Sequence, residues 1–165
     1  MSLSQYVRLL VTGSCFLIGV PASQATLALS TDHRPIVFGL MQLDEEKTVS
    51  EAGNYQNELT CSSTNHRSWY LKIHLLQPFS SGSAVIPPEQ LSWQATVVGG
   101  GQGALVLPNE FTPFRLMPDL VYSSGAGENG GDQVKIQFRY RLRLPSQQRS
   151  GAYHTMIRFT LMEYL

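Results

Sequence analysis

The segment Val134 to Leu144, VKIQFRYRLRL, restricts the fold of this chain more than any other stretch. Val134, Ile136, Phe138, Tyr140, Leu142 and Leu144 alternate with Lys135, Gln137, Arg139, Arg141 and Arg143. A helix would scatter those apolar side chains around its axis. An extended strand puts them all on one side, so the pattern specifies a half-buried strand with a polar outer face. After the turn-rich stretch Pro145 to Gly151, a second alternation follows: Tyr153, Thr155, Ile157, Phe159 and Leu161 against His154, Met156, Arg158, Thr160 and Met162. The two runs read as a long antiparallel hairpin that ends the domain.

Trp69, Leu71, Ile73 and Leu75 alternate with Tyr70, Lys72 and His74, and Leu91, Trp93, Ala95 and Val97 with Ser92, Gln94 and Thr96. Weaker strand signals cover Ile36 to Gln42, Tyr55 to Ser62, Ala104 to Leu107 and Phe111 to Tyr122. The last is interrupted by Pro113 and Pro118 and reads as an edge or an irregular crossing. Turn signals separate the runs at Asp32 to Pro35, Glu51 to Asn54, Ser62 to Asn65, Pro78 to Ser83, Gly99 to Gly103 and Ser123 to Asp132. Asp44 to Ala52 reads as a helical turn, and Pro87 to Gln90 as a short helix opened by prolines; neither carries a helix-length apolar stripe. With 14 Gly and 9 Pro in 165 residues, the expectation is an all-β antiparallel sandwich or barrel of about seven or eight strands. Its expected core holds Leu71, Ile73, Leu91, Trp93, Val134, Ile136, Phe138, Tyr140, Ile157 and Phe159.

The first 25 residues have the three-part layout of a secretory signal peptide. Arg8 supplies the positive charge, Leu9 to Val20 is nearly all apolar, and Pro21 to Ala25 offers small residues before a cut. The apolar run is shorter than the roughly 20 residues a spanning helix needs, so no integral membrane segment is expected after processing. An uncleaved anchor is the competing reading, and lipidation at Cys15 is disfavoured because that residue sits inside the run. Processing would leave residues 26–165 as a single β-sandwich domain with 11 basic and 12 acidic residues. Cys61 would then be the sole thiol, which rules out an internal disulfide. It reads as a small buried residue on a strand, with an intermolecular disulfide or a reactive thiol as the alternative.

Net charge near zero excludes a polyanion binder driven by charge alone, and no nucleic-acid partner is expected. Gly125-x-Gly127-x-x-Gly130 matches the dinucleotide fingerprint by letter, and Gly99-x-Gly101-x-x-Ala104 matches its relaxed form. Both run into extended segments instead of a helix N-terminus, so they read as turns. His33, His66, His74 and His154 show no ligand spacing, and no nucleophile-elbow or paired-carboxylate pattern occurs. No cofactor, metal or catalytic residue is assigned, and the chain is expected not to be an enzyme. A small hydrolase with residues gathered from loops is a distant third reading.

One surface feature invites a ligand. Lys135, Arg139, Arg141 and Arg143 form a basic ladder, which the expected hairpin would place beside His154 and Arg158. With aromatics such as Tyr70 or Tyr122, such a patch would hold phosphate or carboxylate groups of a glycan or cell-wall polymer. A solvated face that keeps the strand from aggregating accounts for the same residues. Met156 and Met162, on the same outward side, suggest that part of the face is covered by another strand or a partner.

Leu59-Thr60-Cys61-Ser62-Ser63 leads into Asn65, Trp69, Leu71 and Ile73, and later come Leu142-x-Leu144-Pro145 and Ser150-Gly151-x-Tyr153-x-Thr155-x-Ile157. This pattern resembles bacterial secreted Ig-like β-sandwich proteins, nearest the WxL-type surface domains and the spore coat U and chaperone–usher pilin group, in which a Gly-x-Tyr motif opens the final strand. Trp69-x-Leu71 matches a Trp-x-Leu pair, while Arg158-x-Thr160 stands where a second would fall. The resemblance implies an Ig-like sandwich acting as a structural or adhesive subunit at the cell surface. Its partners would be other surface or pilus subunits or a periplasmic chaperone. It further implies polymerisation by strand donation, for which Leu27, Leu29, Ile36 and Phe38 are the candidate exchanged residues. The competing reading makes Ile36 to Gln42 this domain's own first strand. Against the structural subunit stands a secreted binding module for a glycan or anionic wall polymer.

Overall fold

The computed structural model describes residues 6–11, 26–32, 35–49, 56–107 and 109–163. Cys15, the cut motif at Pro21 to Ala25, His33 and the turn signal at Glu51 to Asn54 lie outside the described residues. The described strands are β1 (Tyr6–Val11), β2 (Leu27–Thr31), β3 (Ile36–Leu40), β4 (Glu46–Val49), β5 (Asn57–Ser63), β6 (Trp69–Leu75), β7 (Phe79–Ser81), β8 (Ala84–Ile86), β9 (Leu91–Gly99), β10 (Ala104–Leu105), β11 (Thr112–Pro113), β12 (Asp119–Ser123), β13 (Val134–Arg143) and β14 (Ala152–Glu163). They form two sheets in an all-β, sandwich-like fold. One sheet runs β10-β12-β6-β14-β1-β3, with the β7–β8 hairpin attached to β14; the other runs β11-β9-β13-β5-β2, with β4 also on β13. Ladders are antiparallel throughout, except that β1 runs parallel to β14.

All ten expected core residues are buried. Trp69, Leu59, Cys61, Phe79, Ile86 and Phe114 join them. The inner faces meet where Phe138 of β13 packs edge-on against Phe159 of β14, ring centres 5.0 Å apart. That contact also corrects the expected hairpin. β13 and β14 belong to different sheets, because both edges of β13 are already taken: β9 pairs along one side, and β5 followed by β4 along the other. Residues 144–151 therefore arch between the sheets.

Two smaller expectations change as well. Asp44 to Ala52 is not a helical turn where it is described: Asp44 turns the chain with φ +62°, and Glu46–Val49 then pairs with Tyr140–Arg143 as β4. Thr48 and Val49 favour extended backbone, and β4 fills the part of the β13 edge beyond the end of β5. Phe111 to Tyr122 is indeed a crossing, since β11 lies in one sheet and β12 in the other. A short 3-10 turn over Pro88–Gln90 follows Pro87 as expected.

Gly151 shows why a glycine must open the last strand. A Cβ there would lie 2.4 Å from Ser81 Oγ and 2.9 Å from Ser81 Cβ in the β7–β8 hairpin. Two residues on, the buried Tyr153 donates its hydroxyl proton to Arg149 O at 2.6 Å and accepts from Gln148 Nε2 at 2.6 Å. This ties the arch from β13 to the start of β14.

Candidate interaction surfaces

The basic ladder divides. Lys135, Arg139, Arg141 and Arg143 all lie on β13, while Arg158 and His154 lie on β14 in the other sheet. The two sets occupy opposite outer faces of the sandwich and do not converge, because the hairpin that would have joined them does not form. Within the β13 set, two guanidiniums already have neighbours. Arg139 Nη2 donates to Gln94 Oε1 at 2.5 Å. Arg141 lies over the Phe111 ring at 4.4 Å and 3.6 Å from the Glu46 carboxylate. These stems cover the outer face of β9, where Ser92 and Gln94 are buried despite their polarity. Lys135 and Arg143 are exposed. Tyr122, expected as an exposed aromatic, is fully buried, and Tyr70 is half-buried with Lys72 Nζ 5.0 Å from its ring centre.

Tyr122 belongs to a clamp that the sequence does not announce. Glu128, in the 3-10 turn Ala126–Gly130 that holds the fingerprint-like glycines, is buried. Its Oε1 accepts from Gln102 N, from Gly103 N at 2.7 Å and from the Tyr122 hydroxyl at 2.5 Å, and its Oε2 accepts from Gly125 N at 2.9 Å. Burial first, and then the bond to Glu128, pushes the Tyr122 phenol well above its ordinary range. All four donors come from the protein, so the carboxylate locks the two Gly-rich loops together. Among the described residues, no three of His, Cys, Asp and Glu gather as a metal site, and no helix is long and apolar enough to cross a membrane.

The second surface is the sheet edge around β3. Leu27 and Leu29 are half-buried on β2, which pairs with Leu59–Ser63 of β5. Ile36 and Phe38 are fully buried on β3. Between β3 and β14 runs β1, whose six residues pair with Ala152–Ile157 on one side and whose first four, Tyr6 to Leu9, pair with Ile36–Leu40 on the other. Opposite Val7 and Arg8 the register shifts by one, and β3 bulges there with Gly39 at φ +70°, a conformation that suits glycine. Among the described residues β1 is the only ladder partner of β3. Sequence reasoning assigned residues 6–11 to the leader and so did not foresee a strand there. The alternation of Val7, Leu9 and Val11 was the available signal.

A scan against protein-family models finds no match to this chain, and a search of curated proteins finds none either.

Proposed function

We propose that this chain is an exported, non-enzymatic bacterial cell-surface protein with an Ig-like sandwich, acting as a structural or adhesive subunit. One observation carries the reading: the strand that joins β3 to β14 comes from the segment whose sequence reads as a cleavable leader. A processed chain would keep Ile36 and Phe38 in its core while losing the strand that holds them in the sheet, and an assembling subunit restores such an edge from a neighbour. The Tyr153 corner at the start of β14 and the two packed, mainly antiparallel sheets support the Ig-like assignment. The glycan or wall-polymer reading has less behind it, because its arginines lie on two faces and two of them already engage Gln94, Glu46 and Phe111.

The test is the mass, by light scattering coupled to size exclusion, of the processed protein recovered from its native extracytoplasmic fraction. Assemblies that survive dilution and reductant are expected. A clean monomer of about 15 kDa would overturn the subunit reading and make the β13 arginines the next residues to replace. Assemblies that collapse with reductant would instead point to Cys61, which is buried with its thiol pKa pushed up to about 12.

A further inference from the structure

Acidic and basic residues balance over the whole chain, yet the outer face of the β6–β14 pair is one-sided. Lys72 and His74 point outward from β6, and His154 and Arg158 from β14, because Leu71, Ile73, Ile157 and Phe159 between them are the buried residues. The two carboxylates on the described strands of this sheet stand in the inward rows, Asp119 opposite Ile73 and Glu163 opposite Trp69. The other sheet is balanced on its outer side, where Glu46 lies 3.6 Å from Arg141 and Glu58 accepts from Gln137.

His74 stands directly opposite Arg158, with Lys72 on the diagonal. Opposed residues of an antiparallel pair hold their Cβ atoms about 5 Å apart and diagonal ones about 7–8 Å, so the three side chains share one patch. Lys72 Nζ rests 5.0 Å from the Tyr70 ring centre, on a stem long enough to turn toward Arg158. Like charges opposed across a ladder are destabilising unless something neutralises them. His74 feels this directly: burial first, and then the Arg158 guanidinium, hold its pKa below the ordinary range. Its Nδ1 is enclosed without a hydrogen-bond partner, which leaves Nε2 to meet a ligand. From β12, Leu120 stands opposite Lys72, and Asp119 lies 3.7 Å from Arg115, so among the described residues no carboxylate offsets the patch.

We propose that Lys72, His74 and Arg158 form a binding site for one tetrahedral dianion, a phosphate or sulfate group. Seated against Arg158 and Lys72, the dianion reverses the field at His74, so the imidazole takes up a proton as the ligand binds and donates to it from Nε2. The Arg158 guanidinium donates two parallel hydrogen bonds to ligand oxygens, and Lys72 supplies a point charge. By linkage the ligand binds more tightly at lower pH, where His74 is already charged. The site uses no residue of β13 and nothing before Ala25, because β6 and β14 pair directly, so it stands apart from the subunit reading.

The probe is sodium sulfate, which stays a dianion between about pH 5 and 8, so any titration seen there belongs to the protein. The full chain is titrated by NMR at the His74 ring protons, in sulfate and in sodium chloride of equal ionic strength. Sulfate is expected to raise the His74 midpoint beyond chloride, while His66, in the loop before β6, responds alike to both salts, and to bind about tenfold more tightly at pH 5 than at pH 8. Equal His74 midpoints in the two salts would overturn the proposal, because a merely solvated face responds to ionic strength alone. Arg158→Gln should raise the midpoint in chloride, by removing the neighbouring charge, and abolish the further rise in sulfate; Arg158→Lys should keep part of it. A full sulfate response in Arg158→Gln would contradict the site, as would its loss in Arg143→Gln on the opposite face. Dextran sulfate then separates two sources of the group: half-saturation at about hundredfold lower sulfate identifies an ester carried on a chain, and equal half-saturation identifies a free ion.

Discussion

Glu128 shows how much one side chain can hold in a loop that looks dispensable. Its carboxylate collects four donors from two Gly-rich loops and a tyrosine, with no exposed surface to offset the loss of any of them. Glu128→Gln keeps the shape but turns an NH2 group toward backbone N–H donors, so urea unfolding should show a loss of about 2–4 kcal/mol. Tyr122→Phe, which removes one donor, should cost about 1–2 kcal/mol. Cys61 makes a pH-dependent counterpart. Burial raises its thiol from 9.0 to about 12, so the unfolded chain ionises first. Its contribution is complete below pH 9 and falls as pH rises toward 12, reaching a loss of about 1.4 kcal/mol at pH 10. Cys61→Ala should flatten the stability profile between pH 8 and 10, and wild type that showed no slope there would contradict the burial argument.

Among the strands, what could be read from sequence was what repeats locally. The alternation of β13, β14, β6 and β9 stated both their existence and their inner faces, because period-two burial leaves its mark in consecutive residues. Pairing leaves no such mark, which is why β13 and β14 read as a hairpin although Phe138 and Phe159 face each other across the core. β7 and β8 were hidden because Phe79 and Ile86, each buried, stand alone among turn residues. Glu128 was hidden for the opposite reason: a carboxylate between glycines looks the same in a solvated loop and in a clamp. Gly151 was legible as a motif, and its cause lies in the neighbouring hairpin. Gly151→Ala should lose about 1–3 kcal/mol, and Ser81→Gly in the same chain should restore part of that loss, while Ser81→Ala, which keeps the Cβ 2.9 Å away, should restore less. Equal rescue by both would show that the hairpin contact is not the source.

Taken as a whole, the sandwich has a sheet whose continuity depends on six residues from the segment proposed to be a cleavable leader. The basic face of β13 is largely occupied in covering β9, and losing Arg141 with its half-exposed Glu46 partner should change stability by less than about 1 kcal/mol. The edge between β3 and β14 carries far more: two buried residues on β3 and three on β14 rely on whatever strand lies between them. Hydrogen exchange at 36–40 and 152–157, measured on protein taken from the cell surface, addresses this directly. Slow exchange at both segments in a leaderless assembly is expected. Fast exchange at both segments in a leaderless monomer would contradict it.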